Sequence, residues 1–324
     1  MNLEELAEQL SMTELIRLQD GLSRAIARRF EKRLALVFCD VVGSTRSFAR
    51  HGDEAGRALQ QRHVDLVGAA IAGSDGRVVD TAGDGVFLCF GGATAATRAM
   101  EGLQRAIARD NDARSIEHRL HVRMGVHVGP VLTDGVQVSG EAVNFCSHVA
   151  GSADAQEIRL SQAAHAELTD AELRLRCSHL QAAALKGVTG PQELYCLDWR
   201  DAGVFPTLVR LQDGTVIRLP MKEVIRFGRL GEQHGESAND IVINPADPEL
   251  ASRVSRWHFE LHLHAAGFML RSVTTSTTTE VDGRVVKEGE SVLVRPSARV
   301  RLGGAVTLEF ASEDFSQEIT RLPG

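Results

Sequence analysis

Between residues 34 and 199 the chain alternates short apolar runs with longer stretches whose apolar residues recur every three or four positions. The runs predict strands at 34–39, 77–81, 86–90, 119–128 and 156–160; the helical spacing predicts helices at 43–73, broken near His51-Gly52, and at 92–109, 142–151 and 161–168. Such alternation is expected of an α/β or α+β layered domain. Ahead of it, residues 2–31 lack proline, and Ser11-Met-Thr-Glu14 fits a capping box that divides a short helix from a longer one. Along the longer one Leu15, Leu18, Leu22, Ala25, Ile26 and Phe30 recur at helical spacing, with Arg24, Arg28 and Arg29 between them. That pattern suits a helix packed on its own domain and a dimer contact equally well. Beyond Pro206 the texture changes to short β-rich segments at 207–218, 223–227, 240–243, 257–263, 267–272, 291–295, 298–302 and 305–310. Turns such as Asp213-Gly214 and Asp282-Gly283 separate them, which predicts an all-β sandwich. The partition is a short N-terminal helical segment (1–33), an α+β domain (34–199), a linker near 199–206, a β-sandwich (206–312) and a tail (313–324).

Two aspartates interrupt this pattern. Asp40 closes the apolar run Leu34-Ala-Leu-Val-Phe-Cys39 and leads into Val-Val-Gly43-Ser-Thr45, a strand running into a tight loop that opens a helix. Asp84 sits in Gly83-Asp84-Gly85 between two β-rich stretches, a strong hairpin signal. If the hairpin tip lies beside the end of the first strand, the two carboxylates can hold one or two Mg²⁺ or Mn²⁺ ions against a triphosphate. Turn chemistry alone accounts for Asp84 but not for Asp40 at the end of an apolar strand.

Composition narrows the possibilities. A chain of 324 residues favours two domains, or one domain plus appendages. A net charge of −7 argues against a general nucleic-acid binder, which needs a basic surface. No apolar stretch approaches the ~20 residues of a membrane span, and the acidic start Met-Asn-Leu-Glu-Glu-Leu lacks a signal-peptide core, so the expected location is the cytoplasm. Five cysteines (Cys39, Cys89, Cys146, Cys177, Cys196) without a CxxC pair are expected to be reduced and buried.

Five ordered blocks now carry a resemblance: Asp40-Val-Val-Gly-Ser-Thr45, Thr81-Ala-Gly-Asp84-Gly85, Gly125-Val-His-Val-Gly129, Gly140-Glu-Ala-Val-Asn144 and Leu185-Lys-Gly187. Each alone is weak, but in this order and spacing they resemble the class III adenylate and guanylate cyclases over about half the chain. The resemblance implies a ferredoxin-like α+β core with an antiparallel-rich sheet, working as a head-to-tail homodimer. It also implies conversion of ATP or GTP to the 3′,5′-cyclic nucleotide and pyrophosphate. Asp40, Asp84 and the carbonyl of Val41 match the ligands of two Mg²⁺ or Mn²⁺ ions, and the amides of Gly43, Ser44 and Thr45 suit the phosphates. Asn144 matches the residue that orients the ribose, and Lys186 the lysine that reaches the phosphates from the partner subunit.

Departures from that pattern matter as much. Asp80 and Gln137 stand at the base-reading positions where adenylate cyclases carry lysine and aspartate. An acid at 80 can accept from the N1 and N2 donors of guanine, a slight lean toward GTP. His148 stands where the family carries the arginine that stabilises charge on the α-phosphate, four residues after Asn144 and on the same helical face. A histidine cannot make the bidentate phosphate contact, and such a loss costs about 10² to 10³ in rate. The alternative expectation is therefore a weak or inactive cyclase-fold scaffold that binds nucleotide or dimerises.

In the C-terminal segment Arg226-Phe-Gly228-Arg229, Asn239-Asp-Ile-Val-Ile243, Ser255-Arg-Trp-His258 and Val281-Asp-Gly283 resemble a forkhead-associated (FHA) domain. That family binds phosphothreonine peptides, so the implied partner is a phosphothreonine-containing protein such as a Ser/Thr kinase target. Arg229 and Ser255 form a sensible phosphate receptor, Arg256 adds to it, and Gly228 and His258 are structural. The usual Asn-Gly-Thr is replaced by Thr277-Thr278-Thr279, leaving Thr277 as a weaker substitute for the asparagine.

Overall fold

The computed structural model describes residues 10–313 apart from His234. The short helix expected before Ser11 and most of the tail lie outside these residues. Helix α1 (Met12–Phe30) starts at the expected capping box: Ser11 Oγ accepts from the Glu14 amide and the Glu14 carboxylate accepts from the Ser11 amide. None of its residues is buried, and Leu15, Leu18, Leu22 and Ile26 are exposed. The helix touches β1 and β4 of its own domain, but its apolar stripe is left uncovered among the described residues.

Strand β1 (Glu31–Val41) follows, then α2 (Ser44–Ile71), β2 (Arg77–Ala82), β3 (Gly85–Phe90), α3 (Ala93–Asp112), β4 (Val122–Thr133), β5 (Val138–Ser139), α4 (Glu141–Gly151) and β6 (Ile158–Ser161). Next come α5 (Gln162–Ala166), α6 (Ala171–Leu175), β7 (Cys177–His179), the pair β8 (Ala183–Ala184) and β9 (Pro191–Gln192), and β10 (Leu194–Leu197). The main sheet runs β2-β3-β1-β4-β6-β10-β7, antiparallel except for the β4–β6 pair. Central β1 pairs along its whole length with β4, so the apolar run that leads to Asp40 is largely buried while Asp40 itself is half-buried near the strand's C-terminal end. Strand β4 starts at Val122, three residues later than expected, and follows a 3-10 segment at Ile116–His118. The predicted break in α2 is real: Gly52 takes φ 83°.

Residues 199–206 are not a free linker. Trp199 and Phe205 are buried and stack edge-on, and Phe205 meets Phe268 of the second domain in the same way. That domain is two sheets. One contains β11 (Leu208–Arg210), β12 (Val216–Arg218), β19 (Thr279–Val281), β20 (Arg284–Val286), β22 (Arg299–Leu302) and β23 (Val306–Ala311). The other contains β13 (Val224–Gly228), β16 (Ile241–Val242), β17 (Phe259–His264), β18 (Gly267–Ser272) and β21 (Ser291–Val294). The small hairpin of β14 (Glu232–Gln233) and β15 (Glu236–Ser237) and the short helix α7 (Pro248–Ser252) complete it. Phe227, Phe259, Phe268 and Phe310 fill the space between the sheets. All five cysteines are free; four are buried, and Cys177 is only half-buried, a correction to the expectation.

Candidate functional site

Asp40 and Asp84 are brought together by sheet register. Asp40 pairs with Gly85 across the β1–β3 ladder, and Gly83-Asp84 is the two-residue turn that joins β2 to β3. Gly83 takes φ 64°, which an L side chain resists, so the tight turn that delivers Asp84 needs a glycine there. Arg123 of β4 faces Asp40 from the other side, its guanidinium 3.6 Å from the carboxylate. Burial raises the Asp40 pKa above the ordinary carboxylate value; the Arg123 charge opposes this and the Asp84 charge adds to it. Two half-buried oxygen donors repelling one another suit a hard divalent cation, which commonly takes one or two carboxylates and completes its shell with water and substrate phosphate. Among the described residues no group of three or more His, Cys, Asp or Glu is placed to hold a metal ion.

The other predicted residues fall into separate groups. A groove of about 580 Å³ is lined by Asp40, Asp80, Gly85 and Gln137, with Phe38 and Phe87 stacked 4.6 Å apart along its wall. Asp80 follows a register shift in β2, and one of its oxygens accepts from the Thr81 amide at 2.8 Å. Gln137 is held in the β4–β5 turn, its amide donating to Asp134 and its carbonyl accepting from the Thr133 hydroxyl. Val41 is buried, and Gly43 caps α2 with φ 78° and no side-chain cap, leaving the first amides of the helix, at Ser44 and Thr45, open to an anion. Asn144, His148 and Lys186 do not line the groove. Asn144 and His148 share a face of α4, and the His148 ring packs beside Gly187, next to exposed Lys186.

Sequence reasoning missed Arg123 and His63. Arg123 is a charge inside an apolar run, the same signal that singled out Asp40. His63, fully buried on α2, lies 3.1 Å from the Asp84 carbonyl through Nδ1 and 3.1 Å from Cys39 Sγ through Nε2. Burial lowers its pKa to about 4.

In the second domain the predicted residues converge on one end of the sandwich. The Arg229 amide donates to the Ser255 carbonyl, leaving the Arg229 side chain exposed. Ser255 Oγ lies 2.6 Å from Thr274, 2.9 Å from Thr277 and 3.1 Å from Ser276, so four hydroxyls crowd one spot. His258 joins the loops: its Nδ1 accepts from the Ser255 amide, which leaves Nε2 to donate to the Thr278 carbonyl, and burial lowers its pKa to about 4. A Cβ on Gly228 would stand 2.1 Å from the Arg256 carbonyl, so only glycine lets the strand approach that loop. Arg256 is exposed.

Residues 27–198 match the family described as adenylate and guanylate cyclase catalytic domain, and residues 225–303 match the FHA domain. The chain belongs to the adenylate and guanylate cyclase family, and its cyclase domain is followed by an FHA domain. It is 27% identical over 135 residues to "Putative adenylate cyclase 3" of Rhizobium meliloti (strain 1021), covering 41% of this chain and 23% of that protein. It is also 27% identical over 141 residues to "Serine/threonine-protein kinase pkn2" of Myxococcus xanthus, covering 44% of this chain and 17% of that protein. The chain thus spans less than a quarter of the length of these curated relatives. The crystal structure of the adenylyl cyclase CyaB from P. aeruginosa is similar at TM-score 0.46 and 22% identity, over 52% of this chain and 94% of that one. Among the described residues no helix is long and apolar enough to cross a membrane.

Proposed function

We propose that the chain is a signalling nucleotide cyclase that forms the 3′,5′-cyclic nucleotide and pyrophosphate at the interface of a homodimer, with its FHA domain docking it on a phosphothreonine-bearing partner. The observation that carries this reading is the division of the predicted residues into two sets on one chain. Asp40, Asp84 and the open amides of α2 form one, and Asn144, His148 and Lys186 the other. A second copy placed head-to-tail would bring the second set of one protomer over the first set of the other. Mg²⁺ or Mn²⁺ held by Asp40, Asp84 and the Val41 carbonyl would supply Lewis acidity toward the ribose 3′-oxygen and the departing pyrophosphate. The chain's own groups do the rest. Ser44 and Thr45 amides hold phosphate oxygens, Arg123 offers a guanidinium beside them, Asn144 orients the ribose, and Lys186 balances phosphate charge. Asp80 and Gln137 stand where the base would lie, and an acceptor at 80 favours guanine.

A second reading rests on His148. Its imidazole packs beside Gly187 and lacks the fork of a guanidinium, which favours a slow enzyme or a nucleotide-binding scaffold. Purified protein with Mn²⁺ and ATP or GTP separates the two. The enzyme reading expects cyclic product above an Asp40→Ala control, and about 10² more from His148→Arg. No product above the control with either nucleotide, in wild type and His148→Arg alike, leaves the scaffold.

A further inference from the structure

The Asp40 and Asp84 carboxylates sit on different elements, and one side chain from a third element touches both supports. His63 lies on α2, on the inward face marked by Gly56, His63 and Val67, and is wholly buried. A carbonyl oxygen can only accept, so the 3.1 Å contact to Asp84 fixes the proton on Nδ1. The lone pair then left on Nε2 faces Cys39 Sγ at 3.1 Å, so the thiol donates to it. Cys39 immediately precedes Asp40 in β1, and Cys39 and Asp40 pair with Val86 and Gly85 just past the turn. Among the described residues, His63 makes the one side-chain hydrogen bond to residues 83–85.

We propose that His63 is a positioning residue for the carboxylate pair. Through one ring it holds the Asp84 carbonyl and the β1 side chain next to Asp40, and so fixes the separation of the two carboxylates before any cation arrives. This deepens the reading of Asp40 and Asp84 as metal ligands and rests on it. The same helix opens at Gly43 with the amides assigned to phosphate, so α2 couples the phosphate end of the site to the metal end across its kink at Gly52. The ring does not touch the cation. It acts as outer-shell partners of metal sites do, where losing one typically costs about 10- to 100-fold in metal affinity.

The test uses the full chain with two readouts. Mn²⁺ binding is followed by electron paramagnetic resonance in the presence of a non-hydrolysable α,β-methylene nucleoside triphosphate. Amide hydrogen exchange of the β2–β3 hairpin is followed without metal. His63→Leu should weaken Mn²⁺ by about 10- to 100-fold and speed exchange at the hairpin tip. His63→Asn, whose amide can still donate to the Asp84 carbonyl, should recover most of both, and Cys39→Ala should fall between. Recovery by asparagine is what a mere loss of core packing would not give. Wild-type Mn²⁺ affinity and unchanged tip exchange in His63→Leu would overturn the proposal, as would equal loss in His63→Leu and His63→Asn. Should His63→Leu fold poorly, the comparison of His63→Asn with Cys39→Ala decides between the same outcomes: Mn²⁺ affinity must be lower in Cys39→Ala. A wild type that holds no Mn²⁺ defeats the metal reading, and with it the proposed positioning of a metal pair, while the exchange arm still shows separately whether His63 sets the turn.

Discussion

Asp40 is easier to keep neutral in the folded chain than in the unfolded one, because burial and the neighbouring Asp84 outweigh the pull of Arg123. The sign of the linkage follows. The stabilisation from a protonated Asp40 is fully present below the unfolded carboxylate value near 3.8 and is lost as the pH rises through the higher folded value, so at neutral pH the ionised group is a burden. Asp40→Asn should therefore melt higher than wild type in metal-free neutral buffer. The difference should close in acid below the usual carboxylate range, and Mn²⁺ should raise only the wild type. A scan showing Asp40→Asn less stable at neutral pH would contradict this balance. The aspartate was legible in the sequence because a carboxylate ending an apolar strand needs an explanation. Arg123 carried the same signal inside β4 but belongs to no quoted block. His63 was hidden because its partners lie 21 and 24 positions away, and a lone histidine in an amphipathic helix looks like a surface residue.

At the scale of elements, the β2–β3 hairpin and the start of α2 were readable because glycine and turn chemistry are local. The FHA loops were only partly so. Strands β19 and β20 escaped notice because Thr279–Val281 and Arg284–Val286 are only three residues each, too short to show a period, although the turn between them was seen. Their neighbour, the loop 274–278, carries Thr274, Ser276 and Thr277 to the Ser255 hydroxyl. A cluster of hydroxyls supplies donors but no charge, so on the proposed reading the charge for a phosphate falls to the exposed Arg229, with Arg256 adding to it. Fluorescence titration with phosphothreonine peptides should show about 10- to 100-fold weaker binding by Arg229→Ala, the range expected for a hydrogen bond to a charged group. Thr277→Ala should cost less. Equal affinity of Arg229→Ala and wild type would remove Arg229 from the receptor. Helix α1 presents the opposite case: its spacing was clear, but periodicity cannot say what covers a stripe, and the structure leaves Leu15, Leu18, Leu22 and Ile26 exposed.

Across the whole molecule, the two domains meet over a built seam. Arg200 is buried, paired to Asp198 at 2.7 Å, and donates to the Leu219 and Pro220 carbonyls. Arg119 and His121, just before β4, pair with Glu223 at the start of β13, and the Ala265 amide donates to Asp112 of α3. Met221 and Leu263 pack against the cyclase core. The polar texture of Asp201-Ala-Gly reads as linker in sequence, whereas the flanking Trp199 and Phe205 were the sign that the connection is buried. The seam joins the FHA domain to α3 and to the segment that leads into β4, the strand that carries Arg123. On the proposed reading a second copy completes the site, since Asn144, His148 and Lys186 do not line the groove that holds Asp40. Mixing two variants tests this most directly. Asp40→Ala and Asn144→Ala, each made in wild type or in His148→Arg, whichever turns over, should be inactive alone. Combined in equal amounts and allowed to exchange subunits, they should regain about a quarter of the parent's cyclic-nucleotide production, because half the dimers then hold one intact site of two. A mixture no more active than either variant alone would contradict a site shared between protomers.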